Sequence, residues 1–150
     1  MMRRIFLFPV LIVAVLAGSR AAHPQIISTF AGGVVVEDQP ATATPLNLPR
    51  GIAVDLQGNL YIAETAGGLI RRVDAATRIA TIIAGGGTQL DDARPIPARE
   101  ALLDGPTFPA VDGLGNVYFC DTNNHRIRKI TPDGMITTVV GTGLPGFSGD

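Results

Sequence analysis

Cys120, Asp121, Asn123, Asn124, His125, Arg126, Arg128 and Lys129 fall within a single run of a 150-residue chain. A thiol beside an imidazole could act as a thiolate nucleophile with its base, and Cys, His and Asp together could hold a metal ion. Neither pattern is complete. His125 is the only histidine beyond His23, and no second ligand recurs at metal-binding spacing. Nothing near Cys120 sets up a Cys-His nucleophile. The expected role of His125 is to seat a hairpin turn, and that of Cys120 is a small buried thiol at the strand position matched by Ala63.

The elements that must position this cluster come from a repeat. Asp112 to Ile130 (DGLGNVYFCDTNNHRIRKI) restates Asp55 to Val73 (DLQGNLYIAETAGGLIRRV). Asp55 matches Asp112, and the pairs Gly58/Gly115, Asn59/Asn116, Tyr61/Tyr118, Thr65/Thr122, Ile70/Ile127 and Arg71/Arg128 follow at the same interval of 57 residues. Pro40 to Pro49 matches Pro97 to Pro106 at that interval too. Ile26 to Ala31, Ile79 to Ala84 and Ile136 to Gly141 are three copies of one β-forming segment, each leading into glycine. A period of this length marks a repeat protein.

Each unit reads as four strands. The first has Gly51 to Asp55, Leu60 to Glu64, Leu69 to Val73 and Ile79 to Ala84. The second has Phe108 to Asp112, Val117 to Asp121, Arg126 to Ile130 and Ile136 to Val140. Gln57-Gly58-Asn59, Leu114-Gly115-Asn116 and Pro132-Asp133-Gly134 supply turn residues. Four antiparallel strands in a meander form a propeller blade, whose apolar faces need neighbours to cover them. The expected fold is all-β: two β-propeller blades plus an N-terminal orphan outer strand, an incomplete propeller. The orphan strand is 26–31, the blades 50–84 and 107–140, and the next repeat begins at 141–150. The chain reads as the start of a longer propeller or the product of a truncated gene.

Residues 1–21 read as a secretory signal peptide. Arg3 and Arg4 precede the apolar run Ile5 to Leu16, which ends in Ala17, Gly18 and Ser19. That run is short of the roughly 20 residues a membrane-spanning helix needs, and the expected cut follows Ala21. Ser19 in place of cysteine excludes lipidation. Twelve basic side chains, less Arg3, Arg4 and Arg20, leave nine against thirteen acidic ones in residues 22–150. A net charge near −4 disfavours nucleic acid and anionic lipid as partners. A single cysteine permits no intrachain disulfide. The expected location is secreted or periplasmic.

Other chemistry-bearing residues have structural readings. Glu64 and Asp121 each end a second strand, where a carboxylate can accept from turn N–H groups. Gly141 to Gly146 fits G-x-G-x-x-G, but Pro145, Gly146 and Gly149 forbid the helix a dinucleotide site requires. Glu37, Asp38, Asp91 and Asp92 read as solvated loop charges, and Arg71, Arg72, Arg126, Arg128 and Lys129 as a solvent-reaching face on the third strands.

Asn123-Asn124-His125-Arg126-Ile127, Leu69-Ile70, P-R-G-I-A-V-D at Pro49 to Asp55, G-N-L-Y-I-A-E-T and the G-x-G-x-x-G-F-S-G-D ending resemble secreted bacterial NHL-repeat proteins across residues 26–150. Gly67-Gly68 stand where the second blade has the Asn-His pair. The resemblance implies an interaction scaffold, not an enzyme, with no cofactor and no metal. It would bind protein, peptide or glycan on a blade rim, without nucleic acid or, after signal cleavage, membrane. Self-association through exposed blade faces is also expected. Glu64, Asp121, Asn123, Asn124, His125 and Arg126 are the candidate rim or turn contacts. The alternatives are the N-terminal part of a six-blade lactonase- or lyase-type propeller, whose metal site lies in further blades, or a non-functional gene fragment.

Overall fold

A computed structural model of the protein describes residues 28–30, 33–35, 37–90 and 94–146. Residues 1–21, read above as a signal peptide, Asp91 and Asp92, and the ending 147–150 lie outside the described residues. The fold is all-β, and apart from three short 3-10 turns there is no helix among the described residues. None is long and apolar enough to cross a membrane.

The strands are β1 (Ser28–Phe30), β2 (Gly33–Val35), β3 (Gln39–Pro40), β4 (Pro49–Val54), β5 (Leu60–Glu64), β6 (Leu69–Val73), β7 (Ile79–Gly85), β8 (Ile96–Pro97), β9 (Pro106–Val111), β10 (Val117–Asp121), β11 (Arg126–Ile130) and β12 (Met135–Val140). They form two five-stranded antiparallel sheets, ordered β3-β7-β6-β5-β4 and β8-β12-β11-β10-β9. Each is a meander blade with one more strand than its sequence announces. Gln39–Pro40 and Ile96–Pro97 are too short to read as strands. Each nonetheless pairs with the outer edge of its own blade, Gln39 opposite Ala80 and Ile96 opposite Ile136. In the N-terminal copy of the outer-strand segment, Ser28–Phe30 pairs with Gly33–Val35 and with neither blade.

Both first hairpins are built on one carboxylate. Asp55 Oδ1 accepts from the N–H groups of Gln57 (3.0 Å) and Asn59 (2.8 Å), while Oδ2 accepts from Asn59 Nδ2 (2.7 Å) and the Tyr61 hydroxyl (3.0 Å). Asp112 repeats this with Leu114, Asn116 and Tyr118. The last turn differs between blades. The Arg78 N–H closes onto Asp74 O in the first, whereas the Gly134 N–H closes onto Thr131 O in the second, a turn one residue shorter. The fourth strands therefore correspond at 56 residues rather than 57. Buried Ala80 matches buried Ile136, and the positive-φ Gly85 (φ 87°) matches Gly141 (φ 96°). The 57-residue match of Ile79 with Ile136 in the sequence is corrected by this one-residue difference.

The hydrophobic core is the junction between the blades. Tyr61, Ala63, Ile70 and Ala84 of the first blade meet Val117, Phe119, Ile130 and Ile136 of the second. Ala98, Ala101 and Leu103, from the connection, close the same cluster. Burial of each larger aliphatic or aromatic side chain there stabilises the fold by roughly 1.5–3 kcal/mol. At the inner strands the contact is close enough to require glycine. Gly51 has φ 113°, and a Cβ on it would lie 2.9 Å from Pro109 Cδ.

Candidate functional site

One rim of the junction carries the residues singled out in the sequence. Glu64 and Asp121 end β5 and β10, and both are buried, at 1% and 0% exposure. Each is fixed by two groups that recur in the repeat. The Asn47 N–H donates to Glu64 Oε2 at 2.9 Å, and the Asp104 N–H to Asp121 Oδ1 at 2.8 Å. These tie the connection entering each blade to its second strand. From the third strand, Arg71 Nε donates to Glu64 Oε1, and Arg128 Nη1 to Asp121 Oδ2 at 3.3 Å. Arg71 and Arg128 are 2% and 1% exposed, which corrects their placement on a solvent-reaching face. Each lies directly opposite an apolar residue of the second strand, Ile62 or Phe119. It thus shares the sheet face of the carboxylate two residues further on. An acidic and a basic residue seven apart in both repeats was the signal that could have revealed these pairs. Burial pushes the Asp121 carboxyl above its usual value, opposed by hydrogen bonds from Asn124 and the Asp104 N–H and by the Arg128 charge.

The turn after Asp121 explains three more candidates. Asn124 Nδ2 donates to Asp121 Oδ2 at 3.0 Å, and Asn123 Nδ2 to Asp104 Oδ1 at 2.8 Å. His125 adopts the left-handed conformation (φ 50°, ψ 44°) that closes the turn, where the first blade uses Gly68 (φ 61°). Asn123 and His125 are exposed and Asn124 and Arg126 half-buried. The six candidates thus divide into two buried carboxylates that cannot reach a ligand and four partly or fully exposed residues that can, three in the turn and Arg126 at the start of β11. Cys120 is a free thiol and half-buried rather than buried, because it lies on the face of the second blade turned away from the first. Among the described residues no three His, Cys, Asp or Glu side chains gather as a metal site. Glu37 is buried, at 7% exposure, and ion-paired with Arg99, which corrects its reading as a solvated loop charge.

The opposite rim holds a feature the sequence did not announce. A cleft of about 620 Å³ opens between the blades. Ile83, Val117, Ile130 and Pro132 form its apolar walls, while Asp55, Tyr61, Arg72 and Thr131 bring polar groups to it. The volume is that of ordinary small-ligand sites. Arg72 is held by Asp74 at 3.0 Å, and the Tyr61 hydroxyl by Asp55. Loss of solvation, then the Asp55 carboxylate, raises the Tyr61 hydroxyl above its ordinary pKa, so it remains a protonated donor. Only the assembled junction creates this cleft, since its walls come from both blades and from the connection between them.

No family model matches the chain. It is similar to teneurin-3 of Danio rerio, with 37% identity over 99 residues, and to teneurin-1 of Mus musculus, with 34% over 104. These matches cover 58% and 60% of this chain but 4% of either relative. Among solved structures it resembles virginiamycin B lyase from Staphylococcus aureus (21% identity, 60% of this chain and 26% of that one, TM-score 0.43). It also resembles an auxiliary nutrient binding protein from Bacteroides thetaiotaomicron (26%, 58% and 24%, TM-score 0.44). A third is a PQQ-bound aldose sugar dehydrogenase from Streptomyces coelicolor (21%, 79% and 35%, TM-score 0.39). The structures are of propeller type. They include a lyase and a dehydrogenase, so the expectation that the chain is not an enzyme does not stand. At these scores the likenesses assign neither an activity nor a ligand to it.

Proposed function

We propose that this chain is an exported propeller segment of the NHL-repeat kind, 22–150 after loss of 1–21, that serves as a binding scaffold. Its ligand is a peptide segment of a partner protein, seated between the blades at the Asp55–Tyr61 rim. The observation that supports this reading is the cleft itself, with apolar walls and a few convergent polar groups. Apolar walls favour peptide side chains over glycan, because sugar rings present hydroxyls on most edges and would leave them unpaired against Ile83, Val117 and Ile130. The Tyr61 hydroxyl and the Arg72 guanidinium already have partners on the rim, which leaves backbone-like donors and acceptors as the groups they can additionally meet.

A displayed peptide library and a glycan array, screened in parallel against the purified chain, test the reading. Enriched peptides with apolar residues at fixed spacing are expected. Their binding should weaken about tenfold or more when Ile83, half-buried in the cleft wall, becomes Glu. Binding confined to glycans, or peptide binding indifferent to Ile83→Glu, would replace this site with another.

A further inference from the structure

The outward faces of the two blades are copies of the two halves of the junction between them. Tyr61, Ala63, Ile70 and Ala84 are 6%, 0%, 0% and 0% exposed because the second blade covers them. Their counterparts on the second blade are Tyr118 and Cys120, half-buried, and Ile127 and Val140, 38% and 59% exposed. The other half of the junction repeats only at its edge: the counterparts of Val117, Phe119, Ile130 and Ile136 are Leu60 and Val73, half-buried, and Ile62 and Ala80, buried. Leu103 and Pro109 are buried against the first blade, whereas their counterparts Leu46 and Ile52 are 43% and 64% exposed. One molecule therefore carries an open copy of one junction face on the second blade and, on the first blade, the exposed Leu46–Ile52 edge of the complementary one.

We propose that copies of this chain associate head to tail, the Tyr118–Cys120–Ile127–Val140 face of one packing on the Leu46–Ile52 face of the next. Such contact is heterologous and closes into a ring if the rotation per copy allows. Propeller rings of roughly four to eight blades correspond to about two to four copies. Two positions set its strength. Gly51 and Gly68 let the second blade approach the first, a Cβ at Gly68 coming 2.7 Å from Leu103 O. On the outward face these positions are Phe108, 72% exposed, and His125. Both hold positive φ, 49° and 50°, so glycine fits their backbone. Contact between copies is consequently more open, and weaker, than the internal junction.

Sedimentation of the purified chain over a concentration series tests this. The expected result is reversible growth from one copy to a discrete species of about two to four. Phe108→Gly with His125→Gly should shift the midpoint to about tenfold lower concentration or further, without loss of the β circular-dichroism spectrum. Leu46→Arg and Cys120→Arg should each remain monomeric, and an equimolar mixture of the two should form a heterodimer through their intact faces. If either variant fails to fold, alkylating Cys120 on the folded wild-type chain gives the same block. A wild-type chain that stays monomeric throughout, a double-glycine variant with no tighter association, or blocked variants that associate unchanged would each overturn the proposal.

Discussion

Asn124 stands where the first blade has Gly67, and the difference between them offsets the difference between Asp121 and Glu64. In the second blade a shorter carboxylate is reached by the Asn124 side chain at 3.0 Å. In the first, the longer Glu64 fills that space, and a Cβ on Gly67 would already sit 3.4 Å from Glu64 Cβ. Each blade thus completes the same buried site by a different division of atoms.

Glu64→Asp alone should leave Arg71 and the Asn47 N–H under-bonded and cost about 1–3 kcal/mol. Adding Gly67→Asn should recover most of that, because ordinary van der Waals space receives the new side chain. Urea denaturation of the single and double variants measures the coupling. Additive losses would show that the two blades do not share one design.

Removing one member of the Asp121–Arg128 pair leaves a buried charge without its partner. Arg128→Leu should cost about 3–5 kcal/mol, and Asp121→Asn in the same chain should return more than half of it. Equilibrium unfolding of both variants decides. A double variant as unstable as the single one would mean that packing of the Arg128 stem, not its charge, matters.

Acid should act on the blades in two opposite ways. In Asp112 the Asn116 side-chain hydrogen bond outweighs loss of solvation, and the carboxyl lies below its ordinary 3.8. In Asp55 burial raises the carboxyl, but bonds from Asn59, Tyr61 and Gln57 prevail and it too is lowered. Their contribution is complete above the unfolded value and is lost as pH falls through the folded one. Asp112→Asn should therefore unfold more easily than wild type at pH ~6 and converge with it below pH ~3. Asp121, raised by burial, has the reverse sign. The cost of ionising it appears as pH rises from the unfolded value through the folded one, so Asp121→Asn should gain on wild type over that interval. Unfolding midpoints measured from pH ~2 to ~7 test both slopes.

Gly68→Ala should destabilise by about 1–3 kcal/mol, since it combines positive φ with a Cβ 2.7 Å from Leu103 O. His125→Gly, at the same turn position but without a neighbour beyond it, should change stability by less than about 1 kcal/mol. Thermal unfolding of the two variants separates a conformational requirement from a packing one.

The repeat made the blades legible. Asp-x-x-Gly-Asn-x-Tyr named the first hairpin in both, and the second and third strands have the bounds their alternation predicts. Three things were hidden. Arg71 and Arg128 look like surface residues until the strand register places them opposite Ile62 and Phe119. The edge strands at Gln39–Pro40 and Ile96–Pro97 are two residues long and carry no period. The cleft exists only once the blades meet, so no local pattern encodes it. Among the rim candidates, the repeat did not show that Glu64 and Asp121 would be sealed inside.

Because the core lies between the blades rather than within either, neither blade has a reason to stay folded by itself. The two should open together, and their slowest amides, in β5 and β10, should exchange with solvent at one common rate. A linear array of n such units has n − 1 junctions, while a closed circle has n. Closing the circle therefore adds a whole junction without ordering any new chain, and the last contact made is the one with the largest effect on how cooperatively the array unfolds.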